Sequence, residues 1–309
     1  MVLAVDLEPD GPGHVPAPPG PWAGASATHG WLSAARARIA EVTGRPPRFT
    51  WTVRIDAGMA GAYGSAAHAV DAHADLLGEV VDQGDEIGVH VHGWRRDRSG
   101  AWVDDFGDAA WFAEALGVAL DGYAEAFGRP CTISRLGNRF SSPAAFDKLA
   151  AAGVAHDLTM EPGRVGADDG AFTHVRGAIP DYRRTPRRPH RLAPGLTEVP
   201  LTASNKVLGR DVHAHLSRMR RHGVRERLDQ PLQFGGGPRA GDTFTSMIRR
   251  SLALQRRPYL CFAVRSDGIL DAVQGPRLRD HLDQLLALPE APDLAFVSPG
   301  EAVEVLGAP

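Results

Sequence analysis

The chain is 309 residues long, 43% hydrophobic and 23% charged with a formal net charge of −3, an ordinary balance for a soluble globular protein and no basic field for nucleic acid or an anionic membrane. Its two cysteines, Cys131 and Cys261, are too few for a disulfide framework and read as buried, inert thiols. No apolar run approaches the ~20 residues of a membrane span, and MVLAVDLEPD lacks the basic n-region of a signal peptide, so a cytoplasmic location is expected.

In chain order, VLAV (2–5) reads as a short buried strand. Residues 9–30 are rich in Pro and Gly and read as a long loop. A helix over 31–44 ends at a Gly, a strand covers 49–56, and a helix over 67–84 again stops at Gly. EIGVHVH (86–92) is a strand, 108–127 a long amphipathic helix, CTISR (131–135) a strand, 143–153 a helix and VAHDL (154–158) a strand. Residues 161–196 are irregular and include the basic stretch DYRRTPRRPHR. An extended LTEVPLT (196–202) precedes helices at about 210–223 and 240–256. PYLCFAV (258–264), a helix over 273–287, LAFVS (294–298) and a helix over 299–306 complete the chain. Strand and helix alternate throughout, which predicts parallel strands with crossover helices. About seven or eight strands, no internal repeat and no linker favour one α/β barrel-like domain.

Functional groups in such folds gather at the C-terminal ends of the strands. The predicted strand ends carry Asp6 and Glu8, Arg54 and Asp56, His90 and His92, Arg135, His156 and Asp157, and Arg265 with Asp267. Alternation along a strand puts His90 and His92 on one face, and likewise Asp6 and Glu8. Two imidazoles with a carboxylate make an open zinc site. Taken alone, H-x-H also suits satisfied or surface histidines, and Asp6-x-Glu8 also suits a helix cap. His213-x-His215 repeats the spacing in a predicted helix, where i and i+2 do not face each other. The arginines of 183–191 read as a solvated loop or a phosphate contact.

The order of motifs resembles the polysaccharide deacetylase family (the NodB-homology group, carbohydrate esterase family four) over about residues 2–300. VDLE (5–8) resembles its first motif, GDEIGVHVHGW (84–94) its second, and RLGNRFSSPAAFDKLAAAGVAHDLTMEPG (135–163) its third, while TEVPLT (197–202) resembles a downstream segment. The resemblance implies a distorted (β/α)7 barrel in one domain over 1–309, with the 9–30 loop over the barrel mouth. It also implies metal-dependent removal of an acyl group from an amide nitrogen, usually of an N-acetylated amino sugar. Asp6 matches the general base and His90 the first histidine ligand. Leu7 stands where the family has its metal-binding Asp, and Trp94 where it has its second His. Glu8 and His92 are the replacements, giving Glu8, His90 and His92 around a divalent ion, zinc first. The late strand, FAVRSD (262–267), lacks the family's general-acid His.

These residues suggest a mechanism in which Asp6 deprotonates water, Arg135 steadies Asp6 or faces substrate, and Arg265 holds an oxyanion. Asp267 or His156 would protonate the leaving amine. Trp22, Trp94 and Asp56 are expected to bind substrate, a small glycoside or amino-sugar intermediate. A hydrolase of a non-sugar amide would use the same site, and two rivals from other classes remain open. One is a non-catalytic carbohydrate or nucleotide binder; the other is a metal-free glycosidase using Glu8 and Asp267.

Overall fold

The computed structural model describes residues 1–11, 21–171, 174–205, 229–236, 243–253 and 255–307. The predicted helix at 210–223, with His213 and His215, lies outside the described residues, as do 12–20 of the predicted loop. The strands are β1 (Val2–Leu7), β2 (Thr50–Arg54), β3 (Glu86–Val91), β4 (Trp94–Arg96), β5 (Trp102–Asp105), β6 (Ile133–Leu136), β7 (His156–Asp157), β8 (Val175–Arg176), β9 (His190–Ala193), β10 (Leu196–Glu198), β11 (Ala203–Asn205), β12 (Asp229–Pro231) and β13 (Cys261–Arg265). The helices are α1 (Ala23–Thr43), α2 (Ala57–Tyr63), α3 (His68–Ala72), α4 (Ala74–Asp82), α5 (Ala109–Phe127), α6 (Pro143–Ala151), α7 (Phe244–Ala253), α8 (Gln274–Leu286) and α9 (Pro299–Leu306).

Eight strands form one curled sheet in the order β13-β1-β2-β3-β6-β7-β10-β9. The first seven run parallel; β1 to β10 follow one another in chain order with the late strand β13 beside β1, and β9 pairs antiparallel with β10. This is a distorted (β/α)7 barrel. Among the described residues no ladder joins its two ends. Thr202 bridges the seam instead, its backbone N–H donating to the Cys261 carbonyl (2.8 Å) and its Oγ1 accepting from the Cys261 N–H (2.7 Å).

Both faces of the parallel strands are covered, so their sequences are continuously apolar where they lie low in the barrel. Leu3, Val5 and Leu7 of β1 face outward with Trp51, Val53, Val89 and Val91 against the helices. Val2 and Ala4 face inward and pack with Ile133, Val199, Tyr259 and Cys261 in a second apolar cluster. Above that cluster the inward positions turn charged, at Asp6, Arg54, His90 and Arg135. The helices take their ends from the sequence. Asp108 caps α5 by accepting from the Trp111 N–H, and Gly128 closes it with φ 64°. Ser298 and Glu301 form a capping box on α9.

Several elements differ from the sequence reading. Helix α1 begins at Ala23, inside the predicted loop. Gly24 is there for contact: a Cβ on it would lie 2.5 Å from the Asp267 Cα, so helix and β13 end touch through a glycine. Helix α2 and the small sheet β4-β5-β8 carry no periodic signal in the sequence. LAFVS forms no strand. It bonds to the residues just before β1 and β2, and its three bonds (Met1 amino group to the Ala295 carbonyl, Val297 N–H to the Met1 carbonyl, Arg48 N–H to the Phe296 carbonyl) build no ladder. The predicted 67–84 helix breaks at His73 into α3 and α4. Cys131 and Cys261 are free and buried, and burial pushes their thiols up to about 11 and about 12.

Candidate metal centre

Two strand ends meet at the mouth. Glu8 follows β1, His90 lies near the end of β3, and His92 follows β3 by one residue; all three are buried. The Nε2 atoms of His90 and His92 are 3.2 Å apart. Glu8 Oε1 lies 3.5 Å from His90 Nε2, and Glu8 Oε2 lies 3.6 Å from His92 Nε2. One ligand atom from each falls within 4.8 Å of the other two.

The surroundings orient these atoms. Asp104 Oδ2 is 2.7 Å from His92 Nδ1, which fixes the proton on Nδ1 and turns the Nε2 lone pair toward Glu8 and His90. Asp104 Oδ1 accepts from the Gly93 N–H at 2.7 Å, and Asn138 Nδ2 donates to Asp104 Oδ2 at 2.7 Å. Gly137 supports the His92 ring from below, since a Cβ there would lie 2.4 Å from the imidazole. Burial disfavours a charge on His92, but Asp104 and Glu8 outweigh it and raise its pKa to about 9. Burial pushes His90 down to about 4, with His92 and Arg135 acting in the same direction. A pocket that draws a proton to His92 Nε2 without a metal is one where a metal ion can replace that proton. The two-nitrogen, one-carboxylate donor set fits a divalent ion such as zinc.

Asp6 stands beside this group. Arg135 Nε donates to both of its oxygens, at 2.9 and 3.0 Å, and Thr52 Oγ1 donates to Oδ1 at 2.8 Å. Asp6 Oδ1 is 3.7 Å from His90 Nδ1. Asp6, Glu8, His90, His92 and Arg135 share the wall of one cavity of about 410 Å³.

Other residues expected at the site stand elsewhere. Asp56 is buried and structural: it caps α2 through the Met59 N–H and accepts from Arg54 Nε at 2.9 Å. Trp94 is fully buried and stacks on His174 at 5.8 Å, outside the cavity wall. Trp22 packs among Tyr63, His68 and His73, also outside it. Arg265 lines the cavity, while Asp267 is bound to Arg265 (3.0 Å) and to the Gly11 N–H and does not line it. His156, beside Gly300, does not line it either. In the 183–191 stretch, Arg183 pairs with Asp181 and Arg188 donates to the Arg257 carbonyl. The sequence reading did not single out Asp104, Asn138, Arg139, Glu161 and Arg277. Asn138, Arg139 and Glu161 lie in the 135–163 motif, the sequence signal available for them; Asp104 and Arg277 have none.

No family model matches this sequence, and no curated protein matches it. Solved structures do. The chain resembles a protein from Parabacteroides distasonis assigned as a glycoside hydrolase/deacetylase, at 12% identity over 99% of this chain and 70% of that one, TM-score 0.55. It resembles the Puue allantoinase at 12% identity over 98% and 88% of the two chains, TM-score 0.51. It also resembles a protein of Pseudomonas aeruginosa PAO1 assigned as a polysaccharide deacetylase, at 13% identity over 98% and 89%, TM-score 0.50. The fold is that of the polysaccharide deacetylases and their structural relatives.

Proposed function

We propose that this chain is a metal-dependent hydrolase that removes an acyl group, acetyl first, from the amide nitrogen of an amino-sugar-containing small molecule or biosynthetic intermediate. The observation that carries the reading is the convergence of Glu8, His90 and His92 with a carboxylate, Asp6, held ready beside them. Glu8 and the two Nε2 atoms would hold the ion, zinc first. When bound, such an ion supplies Lewis acidity, polarising an amide carbonyl and lowering the pKa of water.

Water adds to the amide carbonyl and its proton passes to Asp6. Arg135 and Thr52 aim that carboxylate before the step. The developing oxyanion gains a cationic neighbour in Arg265, on the cavity wall. Cleavage of the C–N bond then needs a proton on nitrogen. Neither Asp267 nor His156 lines the cavity, so the proton held on Asp6 returns to the leaving amine. The products are a carboxylic acid and a free amine, and one residue serves as base and then as acid.

A non-sugar amide is the second reading. It is favoured by the indoles of Trp22 and Trp94, neither of which lines the cavity to stack on a sugar ring.

The test is metal content by plasma mass spectrometry on protein purified without chelator or His-tag, with H90A, H92A and D6N beside it. Near-stoichiometric zinc or a similar metal in the parent, lost in both histidine variants and kept in D6N, is expected. D6N should lose at least ~10³-fold in turnover of N-acetyl or N-formyl substrates, in line with removing a general acid–base group. Protein that is metal-free and refuses added zinc would overturn the mechanism in favour of a carboxylate-pair glycosidase or a binding protein.

A further inference from the structure

Four guanidinium groups line the cavity beside the candidate metal centre: Arg135, Arg139, Arg265 and Arg277. Two are committed. Arg135 holds Asp6, and Arg265 holds Asp267. The other two have no carboxylate within ion-pair distance among the described residues. Glu161, the acid in the cavity that favours the charge on Arg139, is itself paired with Arg164 at 3.6 Å. Asp271, the acid beside Arg277, accepts from the Val273 and Gln274 N–H groups at the start of α8.

Arg139 is half-buried, and its Nε is fully buried with no hydrogen-bond partner. Burial disfavours its charge, and Arg164 and Arg135 add to that effect. A half-buried guanidinium whose buried Nε–H has no partner, and which has like charges beside it, is stabilised by an added anion. Its backbone is also constrained. Asn138 and Arg139 are the only non-glycine residues with positive φ among the described residues, at 48° and 60°. Asn138 is anchored to Asp104, and the Arg139 carbonyl accepts from the Tyr182 hydroxyl. Sparsely populated backbone held by surrounding contacts is a recurring mark of ligand clamps.

We infer that Arg139 and Arg277 form an oxyanion subsite, so that the compound hydrolysed carries a carboxylate or a phosphate away from the scissile amide. Planar forks of this kind pair with both groups. The inference rests on the hydrolase reading for the word "hydrolysed"; the subsite itself does not.

Calorimetric titration of the full chain with matched probes tests it, in the D6N background so that binding is read without turnover. The probes are N-acetylglucosamine against its 6-phosphate, 4-acetamidobutanamide against 4-acetamidobutanoate, and inorganic phosphate alone. The expected result is at least tenfold tighter binding of one anionic member over its neutral counterpart, falling to twofold or less when R139Q and R277Q are added. The sugar and amino-acid pairs distinguish phosphate from carboxylate. R277Q alone, on a helix surface, guards against a fold effect at position 139 and should remove part of the preference. Equal binding within both pairs, a preference that survives both substitutions, or no binding of any anionic probe overturns the subsite. A preference found in protein that takes up no metal would keep the subsite and overturn the hydrolase.

Discussion

Gly137 shows how tightly single residues set the site. An added Cβ would meet the His92 ring at 2.4 Å, and the ring is pinned on its far side by Asp104. G137A should therefore turn the imidazole off its position and weaken zinc uptake tenfold or more, comparable to loss of a group that orients a metal ligand. Circular dichroism should stay unchanged; unaltered zinc affinity would refute the role. The candidate ligands were legible in the sequence, because the period of two puts His90 with His92, and Asp6 with Glu8, on shared faces. Their supports were not. Asp104 reaches His92 only because β4 pairs with β5, Trp94 opposite Asp104, and no local pattern in WRRDRSGAWVDD announces that hairpin. The same turn of chain explains Trp94. Past Gly93 the backbone leaves β3 for the small sheet, and the indole is carried under His174 instead of into the cavity.

Between elements, β7 and β10 bring two acids face to face. Glu198 and Asp157 are register partners, both fully buried. Burial holds both carboxyls above their ordinary range; the Asp157 charge adds to it at Glu198, whereas hydrogen bonds with Ser134, Glu198 and Thr159 offset it at Asp157. Two carboxyls buried side by side are expected to share a proton. A carboxyl with a raised folded pKa gives its full contribution below its unfolded value, about 4.3 for Glu, and loses it as pH rises through the folded value. E198Q keeps a donor toward Asp157 and removes the titration. It should flatten the fall in melting temperature on the alkaline side of the ordinary carboxyl range while changing little below pH 4. A parallel fall in both proteins would count against the shared proton. The strands that carry this pair were readable as parallel strands because their buried faces leave apolar runs. The start of α1 was not readable, because the small residues that look like a loop, Gly24 among them, are there for close packing.

At the scale of the whole molecule, sequential parallel strands made the barrel legible from alternation alone, while its closure through Thr202 and Cys261 depends on contacts far apart in sequence. A bound ion would join the ends of β1 and β3 across the mouth, so metal should stabilise the folded chain as a whole. At a free concentration ~100 times its Kd the gain is about 2.7 kcal/mol. Chelation should then lower the melting temperature by several degrees, on the order of 5 °C at ~2–4 °C per kcal/mol; no change on chelation would argue against a site of useful affinity. The pairing of β1 with β13 has a temporal consequence. Val2 lies opposite Cys261, so one neighbour of the first strand is made only after most of the polypeptide has left the ribosome. Until then β1 has a single partner, β2, and an open edge. At synthesis rates of about 5–20 residues per second, that edge waits on the order of 10–50 seconds. Completing the barrel is therefore a late, long-range event, and the nascent chain is most prone to aggregation just before its last parallel strand arrives.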